Sequence, residues 1–363
     1  MTRQITAEQL AARLATDDAP YLVDVRNPDE YAEWRIPSAV NVPLSELPDR
    51  TGDLPDDRDI VVHCAAGGRS AQAATVLAGA GIDVAELTGG MGAWARVYDL
   101  AELPAGSAAV VQVRRRAKGC LSYVVGAGDT AFVVDPSVDL ETYEDVAAER
   151  GWKITRVFDT HLHADHLSGA RALAERTGAT LHLNPADTFH FDYEPLSDGD
   201  TFTLPGGTSF GVSVLHTPGH TEGSTIFAVG EAAVLTGDTL FVDGVGRPDL
   251  AERAEEFAHN LYRSLQDRVL ALGDEATVLP AHYGEGVEVR PHDIVGATIG
   301  ELRQRLEPLG YDEDRFVRWA AEAASERPPN YVEIIRSNMG TPRIDDAELR
   351  RLELGPNRCS VQA

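Results

Sequence analysis

A loop of small residues in the first hundred positions places a thiol close to a guanidinium. The loop runs through Cys64, Ala65, Ala66, Gly67, Gly68, Arg69 and Ser70. The sequence before Cys64 predicts a strand and the sequence after the glycines predicts a helix, so successive backbone N–H groups of the loop are expected to point inward and bind an anion. The positive end of the helix favours a thiolate at Cys64, and Arg69 adds a positive charge at the rim. The loop therefore predicts a nucleophilic sulfur in a site for a negatively charged substrate, the alternative being a buried cysteine in a glycine turn.

A second set of chemically active residues lies further along the chain. The motif His161-Leu-His163-Ala-Asp165-His166 directly follows an apolar run that is predicted to be a strand. His220, Asp238 and His282 come later, each after a further apolar run and a small turn residue. Imidazole and carboxylate ligands together suit Zn, Fe or Mn. Loop tips at the ends of strands are thus predicted to bring these residues together as a metal site.

Alternating strands and helices are expected to position the Cys64 loop. The predicted elements are strands at Tyr21–Val25, Asp59–Cys64 and Val84–Leu87, and helices at Pro28–Trp34 and Ser70–Ala80. Strands that alternate with helices indicate an α/β domain with a parallel sheet. A turn-forming stretch at Leu103–Ser107 predicts the end of this domain, which we place at residues 1–103.

Many short strands with flanking helices follow this boundary. The predicted strands are Val110–Val113, Leu121–Val125, Ala131–Val134, Thr155–Asp159, Thr180–Leu183, Thr208–His216, Ser224–Val229 and Ala233–Leu235. The predicted helices are Leu140–Arg150, Gly169–Thr177, Ala254–Ala271 and Gly296–Leu306. This pattern predicts an α/β/β/α sandwich over residues 107–345, with a C-terminal tail at 346–363 packing on it.

The composition disfavours several classes of partner. The 363 residues suffice for two domains, and 43% hydrophobic with 25% charged residues is typical of globular proteins. The net charge of −26 argues against nucleic acids and anionic membranes, which both need clustered Lys and Arg. The chain has no apolar run of signal-peptide or transmembrane length, and its three scattered cysteines do not suggest a disulfide framework. A reducing cytoplasm is therefore the expected location.

The first hundred residues resemble rhodanese domains. The motifs that carry the resemblance, besides the Cys64 loop, are Leu22-Val-Asp-Val-Arg-Asn-Pro-Asp-Glu-Tyr31, Ile36-Pro-Ser-Ala-Val-Asn-Val-Pro43 and Thr88-Gly-Gly-Met-Gly-Ala-Trp94. Rhodaneses carry sulfane sulfur as a persulfide on the loop cysteine, so the resemblance implies that Cys64 and Arg69 are catalytic. Four residues between Cys64 and Arg69 match the rhodanese loop, which is shorter than that of related dual-specificity phosphatases. By the same resemblance, Asp24 and Arg26 are expected to support the fold.

The histidine-rich part of the chain resembles the metallo-β-lactamase fold. Within that superfamily, glyoxalase II-type thioester hydrolases and persulfide dioxygenases share the His-x-His-x-Asp-His motif. The segment Gly237-Asp-Thr-Leu-Phe-Val-Asp-Gly-Val-Gly-Arg-Pro-Asp249 and the tail Pro328-Pro-Asn-Tyr331 with Leu354-Gly-Pro-Asn-Arg-Cys359 resemble the dioxygenases. The closing segment is also short for the thiol-binding helical domain of a glyoxalase II.

The resemblance to persulfide dioxygenases implies roles for the individual metal-site residues. One Fe(II) per chain would be held by His161, His220 and Asp238, leaving positions open for the substrate sulfur and O₂. The residues that would orient these ligands are His163, Asp165, His166 and His282. In a dinuclear zinc hydrolase the same residues would instead bind a second metal. The resemblance also places Arg247 and Tyr283 near the bound thiol, while Cys359 either lines the site or packs in the core.

These features predict a bifunctional enzyme of sulfane-sulfur metabolism. The metal domain is expected to oxidise a low-molecular-weight thiol persulfide with O₂ to sulfite and thiol, glutathione being the default thiol by resemblance. The rhodanese domain is expected to transfer sulfane sulfur between thiosulfate and a thiol or persulfide through Cys64. The alternative is a zinc-dependent thioester hydrolase joined to a rhodanese sulfur-carrier or docking domain. The sequence leaves a homo-oligomer open.

Overall fold

The computed structural model of the chain describes residues 2–204, 210–248, 253–284, 286–287, 289–290, 292–322, 330–340, 352–353 and 360–362. The chain divides into two units. The first comprises Met1–Asp99, Arg115–Lys118 and Glu353–Pro356. The second comprises Leu100–Arg114, Gly119–Leu352 and Asn357–Ala363.

Five parallel strands form the sheet of the first unit, in the order β1-β5-β4-β2-β3. The strands are β1 (Arg3–Ile5), β2 (Tyr21–Asp24), β3 (Val40–Asn41), β4 (Ile60–His63) and β5 (Val84–Leu87). The helices are α1 (Ala7–Leu14), α2 (Pro28–Glu33), α3 (Gly68–Gly79) and α4 (Gly90–Trp94). Every side chain of the central strand β4 is buried, with Val61 in one hydrophobic cluster and Val62 in another. Successive side chains of a strand point to opposite faces, so helices must cover both faces of this sheet.

Two larger sheets form the second unit. The first sheet has the order β12-β11-β10-β9-β8-β7-β6 and the second has the order β13-β14-β15-β16-β18-β19. Strands of the first sheet are β6 (Tyr98–Ala105), β7 (Ala108–Arg115), β8 (Cys120–Ala127), β9 (Thr130–Val134), β10 (Lys153–Phe158), β11 (Thr180–Leu183) and β12 (Glu194–Pro195). Strands of the second sheet are β13 (Thr201–Leu204), β14 (Phe210–His216), β15 (Thr225–Val229), β16 (Ala233–Gly237), β18 (Thr277–Pro280) and β19 (Ala297–Thr298). A further pair joins β17 (Gly244–Gly246) to β20 (Ser360–Gln362) in antiparallel register.

The two sheets pack face to face and helices cover them. The rings of Phe158 on β10 and Phe227 on β15 lie 5.1 Å apart between centroids, within one continuous hydrophobic core. The helices of this unit are α5 (Leu140–Glu149), α6 (Ala170–Thr177), α7 (Ala254–Ser264), α8 (Ile299–Arg305), α9 (Glu313–Glu322) and α10 (Tyr331–Asn338). Helices α5 and α6 contact β10 of the first sheet, whereas α8 contacts β19 of the second. The predicted parallel α/β domain followed by an αββα sandwich is confirmed as the fold class.

Several element boundaries differ from the predictions. The segment Leu103–Ser107, which was predicted to mark the end of the first domain, contains the end of β6 and the Gly106 turn into β7, so its turn-forming composition belongs to a hairpin. The predicted helix Gly296–Leu306 begins only at Ile299, because Ala297–Thr298 pairs with β18 and Thr298 caps the helix. The helical pattern at Ala254–Ala271 continues beyond α7 as a π turn and a 3₁₀ turn. Residues 208–209 of the predicted strand Thr208–His216 lie outside the described residues.

The division into units also differs from the predicted domain bounds at 103, 107 and 345. Arg115–Lys118 and Glu353–Pro356 group with the first unit, where buried Arg115 pairs with buried Glu353. Of the tail at 346–363, Leu352 packs with Leu167 and Ile334 in the second unit. None of the helices in the described part of the chain has the length and apolar character needed to cross a lipid bilayer.

Candidate active sites

The Cys64 loop, defined as residues 64–70, connects β4 to α3 in the first unit. Cys64 is buried, and its Sγ accepts a hydrogen bond from the Gly67 N–H at 3.1 Å. Ser70 Oγ lies 3.6 Å from the same sulfur and donates to the Gly67 carbonyl at 2.9 Å. Burial opposes the thiolate, but hydrogen bonds from Ser70 and from loop N–H groups outweigh it and lower the pKa of the Cys64 thiol. The loop thus carries a thiol whose anionic form is stabilised by backbone groups.

Gly90, the first residue of helix α4, lets this helix pack directly on the Cys64 loop. The N–H groups of Met91 and Gly92 donate to the carbonyls of Cys64 and Ala65 at 2.9 and 3.1 Å. Gly90 has a φ of 56°, and a Cβ built there would lie 2.2 Å from the Cys64 carbonyl oxygen. Any other residue would therefore have to displace the loop that carries the thiol.

The sequence suggested Arg69 as an unpaired positive charge at the rim of the loop, but in the structure Arg69 is paired. Its two terminal nitrogens donate to both carboxylate oxygens of Glu30 on α2, at 2.6 and 2.7 Å. These hydrogen bonds from Arg69 lower the pKa of Glu30 to about 2. Sequence reasoning missed Glu30, because an acidic residue in the first turn of a helix is expected for the helix alone. Asp24 and Arg26 form a buried ion pair at 2.7 Å, and Arg26 also donates to the Trp34 carbonyl.

The predicted metal-site residues of the second unit all lie at the ends of strands. The His161–His166 motif follows β10, His220 follows β14, Asp238 follows β16 and His282 follows β18. All seven of these side chains are buried. The structure separates them into three clusters of close ligand-type atoms. These are the triad of His161, His220 and Asp238; the Cys120 cluster of Cys120, Asp165, His166 and His282; and the His163 cluster of Asp135, Asp159 and His163.

The triad brings together the three side chains that were predicted to hold iron. Asp238 Oδ2 lies 3.7 Å from His161 Nε2 and 3.4 Å from His220 Nε2. None of these three atoms has a hydrogen-bond partner among the described residues, although all are buried. Buried polar atoms without partners are costly and rare, and a cation bound between them would remove that cost. The triad therefore fits a metal ion.

The remaining polar atom of each triad side chain is held by a neighbour. His161 Nδ1 lies 2.9 Å from Thr160 Oγ1, whose hydroxyl donates to Asp135. His220 Nδ1 lies 3.0 Å from the Arg247 carbonyl oxygen. Because both partners act as acceptors, both rings carry a proton on Nδ1 and keep the lone pair of Nε2. The other oxygen of Asp238 accepts from His282 Nδ1 at 2.7 Å.

The other four predicted residues contact different partners. His163 Nε2 lies 3.1 Å from Asp135 Oδ1 and 3.8 Å from Asp159, so this nitrogen is directed to the His163 cluster. In the Cys120 cluster, Asp165 Oδ1 lies 3.1 Å from His166 Nδ1, and Asp165 Oδ2 lies 2.6 Å from His282 Nε2. Cys120 Sγ lies 3.7 Å from Asp165 Oδ2. His282 thus lies between the carboxylates of the Cys120 cluster and the triad.

The electrostatics of the triad match the ionisation states that metal ligands need. Burial, together with the charge of His163, holds the pKa of His161 well below its usual value. Burial likewise lowers the pKa of His220. Burial opposes ionisation of Asp238, but the nearby charge of His282 and its hydrogen bond outweigh it and lower the pKa of that carboxyl. At neutral pH the triad therefore presents two neutral imidazoles and one carboxylate.

The two predicted substrate-binding residues differ in their surroundings. Arg247 is almost fully buried, and its carbonyl group is the one that holds His220. Tyr283 is half-buried, and its N–H donates to the Gly119 carbonyl at 3.2 Å. Their contacts with a thiol remain predictions. Cys359 lies outside the described residues.

Comparison with known protein families gives one match in each of the two parts of the chain. A rhodanese-like domain model matches residues 6–97, and the metallo-beta-lactamase superfamily model matches residues 115–305, a little over half of the 363 residues. The chain belongs to the metallo-β-lactamase superfamily. This superfamily member carries its rhodanese-like domain on the N-terminal side of the metal-binding fold.

Relatives of this metallo-β-lactamase superfamily member divide between its two parts. A sulfurtransferase from Allochromatium vinosum is 42% identical over 97 residues, which are 26% of this chain and 91% of the relative. A hydroxyacylglutathione hydrolase from Methylococcus capsulatus is 35% identical over 185 residues, 50% of this chain and 68% of the relative. The crystal structure of ETHE1 from Myxococcus xanthus is similar with a TM-score of 0.56 and 29% identity, covering 63% of this chain and 97% of that chain.

Two buried aspartates of this superfamily member were missed in the sequence. Asp135 has a φ of 53° and accepts hydrogen bonds from the Thr160 N–H and hydroxyl at 2.7 and 2.9 Å. Asp187 accepts from the Leu162 and Gly223 N–H groups and from the Thr221 hydroxyl, at 2.8, 2.9 and 3.0 Å. Asp187 therefore ties together the two loops that carry His161 and His220. Asp135 had a detectable signal, since it ends a predicted strand just before Pro136; Asp187 had none.

Proposed function

We propose that the chain is a bifunctional enzyme of sulfane-sulfur metabolism. Its second unit oxidises a low-molecular-weight thiol persulfide, glutathione persulfide by default, with O₂ and water to sulfite and thiol, using one Fe(II) per chain. Its first unit transfers sulfane sulfur between thiosulfate and a thiol or persulfide through Cys64. The two activities share substrates and products, because both units act on sulfane sulfur.

The observation that carries the oxidation is the composition of the triad. The atoms that converge without partners among the described residues are two imidazole nitrogens and one carboxylate oxygen. A two-histidine, one-carboxylate ligand set that leaves positions open is typical of non-haem Fe(II) oxygenases. His163 Nε2 is directed to Asp135, whereas His163 Nδ1 is buried without a hydrogen-bond partner among the described residues. The proposal of a single iron therefore rests on the ligand set of the triad.

The chain's own residues prepare the triad for a metal. Iron(II) bound there would supply the redox chemistry with O₂ that zinc, with its filled d shell, does not supply. Thr160 and the Arg247 carbonyl orient the two rings so that each Nε2 lone pair is directed inward. His282 holds one oxygen of Asp238, which leaves the other for the metal. Arg247 and Tyr283 are the proposed contacts of the thiol part of the substrate.

The first unit supplies a nucleophile and an anion site for sulfur transfer. The Cys64 thiolate attacks the outer sulfur of thiosulfate, a Cys64 S–S bond forms, and the sulfur–sulfur bond of thiosulfate breaks. Sulfite leaves with the electron pair, so no external oxidant or reductant is required. A thiol then takes the outer sulfur, and Cys64 returns to the thiolate. The lowered pKa of Cys64 and the sulfurtransferase relative support this activity.

A zinc-dependent thioester hydrolase is the second candidate for the metal unit. The 35% identity to a hydroxyacylglutathione hydrolase favours it. The chain covers 68% of that relative in sequence and 97% of ETHE1 in structure, and the more complete structural match supports the dioxygenase. In a dinuclear hydrolase, His163 would bind a metal ion through Nδ1, which is buried without a hydrogen-bond partner among the described residues. Asp165, His166 and His282 of the Cys120 cluster would bind the second ion.

Metal analysis combined with oxygen uptake distinguishes the two candidates. The full chain, purified without added metal, should contain one iron per chain and consume O₂ when glutathione persulfide is added. Sulfite should accumulate in proportion to the O₂ consumed. Two zinc ions per chain, with cleavage of a glutathione thioester and no O₂ uptake, would establish the hydrolase instead.

A further inference from the structure

The ion pair between Glu30 and Arg69 changes the charge of the Cys64 loop. Both terminal nitrogens of Arg69 are engaged by Glu30, and the two side chains are 31% and 32% exposed. Glu30 Oε2 also accepts the N–H of Asn27 at 3.1 Å, which completes a capping box at the start of α2. Glu30 is therefore held at the rim of the loop by two independent contacts.

The pair of Glu30 and Arg69 carries no net charge. Anion binding then depends on the loop N–H groups and on the start of α3. The energy of an anion in the field of a fixed charge scales with the charge of the anion. A negative charge at Glu30 therefore disfavours a doubly charged substrate about twice as strongly as a singly charged one.

We propose that Glu30 is a specificity-determining residue: by neutralising Arg69, it makes the Cys64 loop favour singly charged sulfane-sulfur donors over doubly charged ones. The persulfide of a thiol that carries no other charge belongs to the first class and thiosulfate to the second. The proposal rests on the proposed sulfur transfer through Cys64. With either donor, the Cys64 thiolate bonds to the outer sulfur while the donor's S–S bond breaks, and a thiolate or sulfite leaves with the electron pair.

The variant Glu30→Gln tests this directly. A glutamine can still accept the Asn27 N–H in the capping box, so the substitution removes the charge and keeps the helix cap. The two probes are thiosulfate and the persulfide of mercaptoethanol, which carries a single charge. We expect the KM for thiosulfate to fall about fivefold and that for the persulfide by no more than about twofold, with kcat unchanged. The difference should shrink at high salt, because salt screens exposed charges.

Matched variants separate charge from structure. Glu33→Gln removes an exposed charge from the same helix and should leave both KM values unchanged. Glu30→Asp keeps the charge and should keep the wild-type ratio of the two KM values. If Glu30→Gln does not fold, Arg69→Gln provides the opposite test: it leaves Glu30 unbalanced and should raise the KM for thiosulfate more than that for the persulfide.

Two failures are distinguishable. A ratio of KM values that stays at the wild-type value in Glu30→Gln or in Arg69→Gln overturns the role of Glu30. An equal fall in kcat for both donors in Glu30→Gln does so too, since it would mean that Glu30 only positions the loop. Absence of Cys64-dependent transfer from either donor in the wild-type protein would instead overturn the proposed function.

Discussion

The Cys64 loop and the triad are built from different parts of the polypeptide. The loop is continuous in sequence, and its contacts to the thiol come mainly from backbone N–H groups. The triad draws three side chains from the ends of three strands, and each side chain is oriented by a further residue. A backbone-built site depends on one reactive side chain, whereas a site built from side chains depends on the whole set that surrounds it. The two sites should therefore respond differently to substitution.

The largest expected effect comes from Cys64→Ser. Sulfur transfer should fall to the uncatalysed level, because the sulfur that forms the transient bond is gone, while persulfide-dependent O₂ uptake should stay at the wild-type value. Binding of thiosulfate should survive, since the loop N–H groups remain. Transfer assays, an oxygen electrode and thermal shift with thiosulfate measure the three properties. Transfer that persists in this variant would show that Cys64 is not the carrier.

His220→Ala should empty the triad. Loss of one of three ligands is expected to weaken metal binding by more than about a hundredfold, the upper range seen when only an outer partner of a ligand is removed. Metal content and O₂ uptake should fall together, while sulfur transfer continues. The exposed His190, replaced by Ala, serves as the control. Full metal content in His220→Ala would contradict the ligand assignment.

Asp187→Asn tests whether the triad depends on its surroundings. An amide nitrogen would face one of the backbone N–H groups that Asp187 now accepts from, and the loops of His161 and His220 would lose a shared contact. Metal affinity, measured by chelator competition, should fall about 10–100-fold. Asp192→Asn changes an exposed carboxylate nearby and should have no effect. Unchanged metal affinity in a folded Asp187→Asn variant would show that metal binding depends on the triad and not on the contact that Asp187 makes with the two loops.

The smallest expected effect is a pH dependence of stability that originates in the first unit. His63, next to Cys64, is buried, and burial lowers its pKa from 6.5 to about 4. The unfolded chain binds this proton at a higher pH than the folded chain, so stability is fully present above pH 6.5 and is lost as the pH falls. Between pH 7.5 and 5.0 the loss should be about 2 kcal/mol.

Urea unfolding of the full chain and of His63→Asn, at pH 7.5 and 5.0, measures this contribution. The wild-type protein should lose more stability than the variant over this range, so the difference between them should shrink at low pH. An equal loss of unfolding free energy in the two proteins would show that His63 does not titrate as its burial suggests.

Most of the Cys64 loop can be predicted from the sequence, because the strand, the loop and the helix are adjacent in the chain. The same holds for most strands and helices, whose apolar patterns are local. A glycine turn such as the one at Leu103–Ser107 looks the same in a hairpin and at a domain boundary, and the pairing of β6 with β7 shows that this turn belongs to a hairpin. Glu30 was missed for a related reason, since its partner Arg69 is 39 positions away.

The amino-acid sequence by itself determined which donor groups this protein has, and that each follows an apolar strand. Only the tertiary structure decided how the seven candidate residues divide into clusters. His163 Nε2 is directed to Asp135, whereas the ligand atoms of His161, His220 and Asp238 face one another. The physical reason is that the orientation of a side chain depends on its hydrogen-bond partners. Those partners, such as the Arg247 carbonyl beside His220, are close only once the strands have packed.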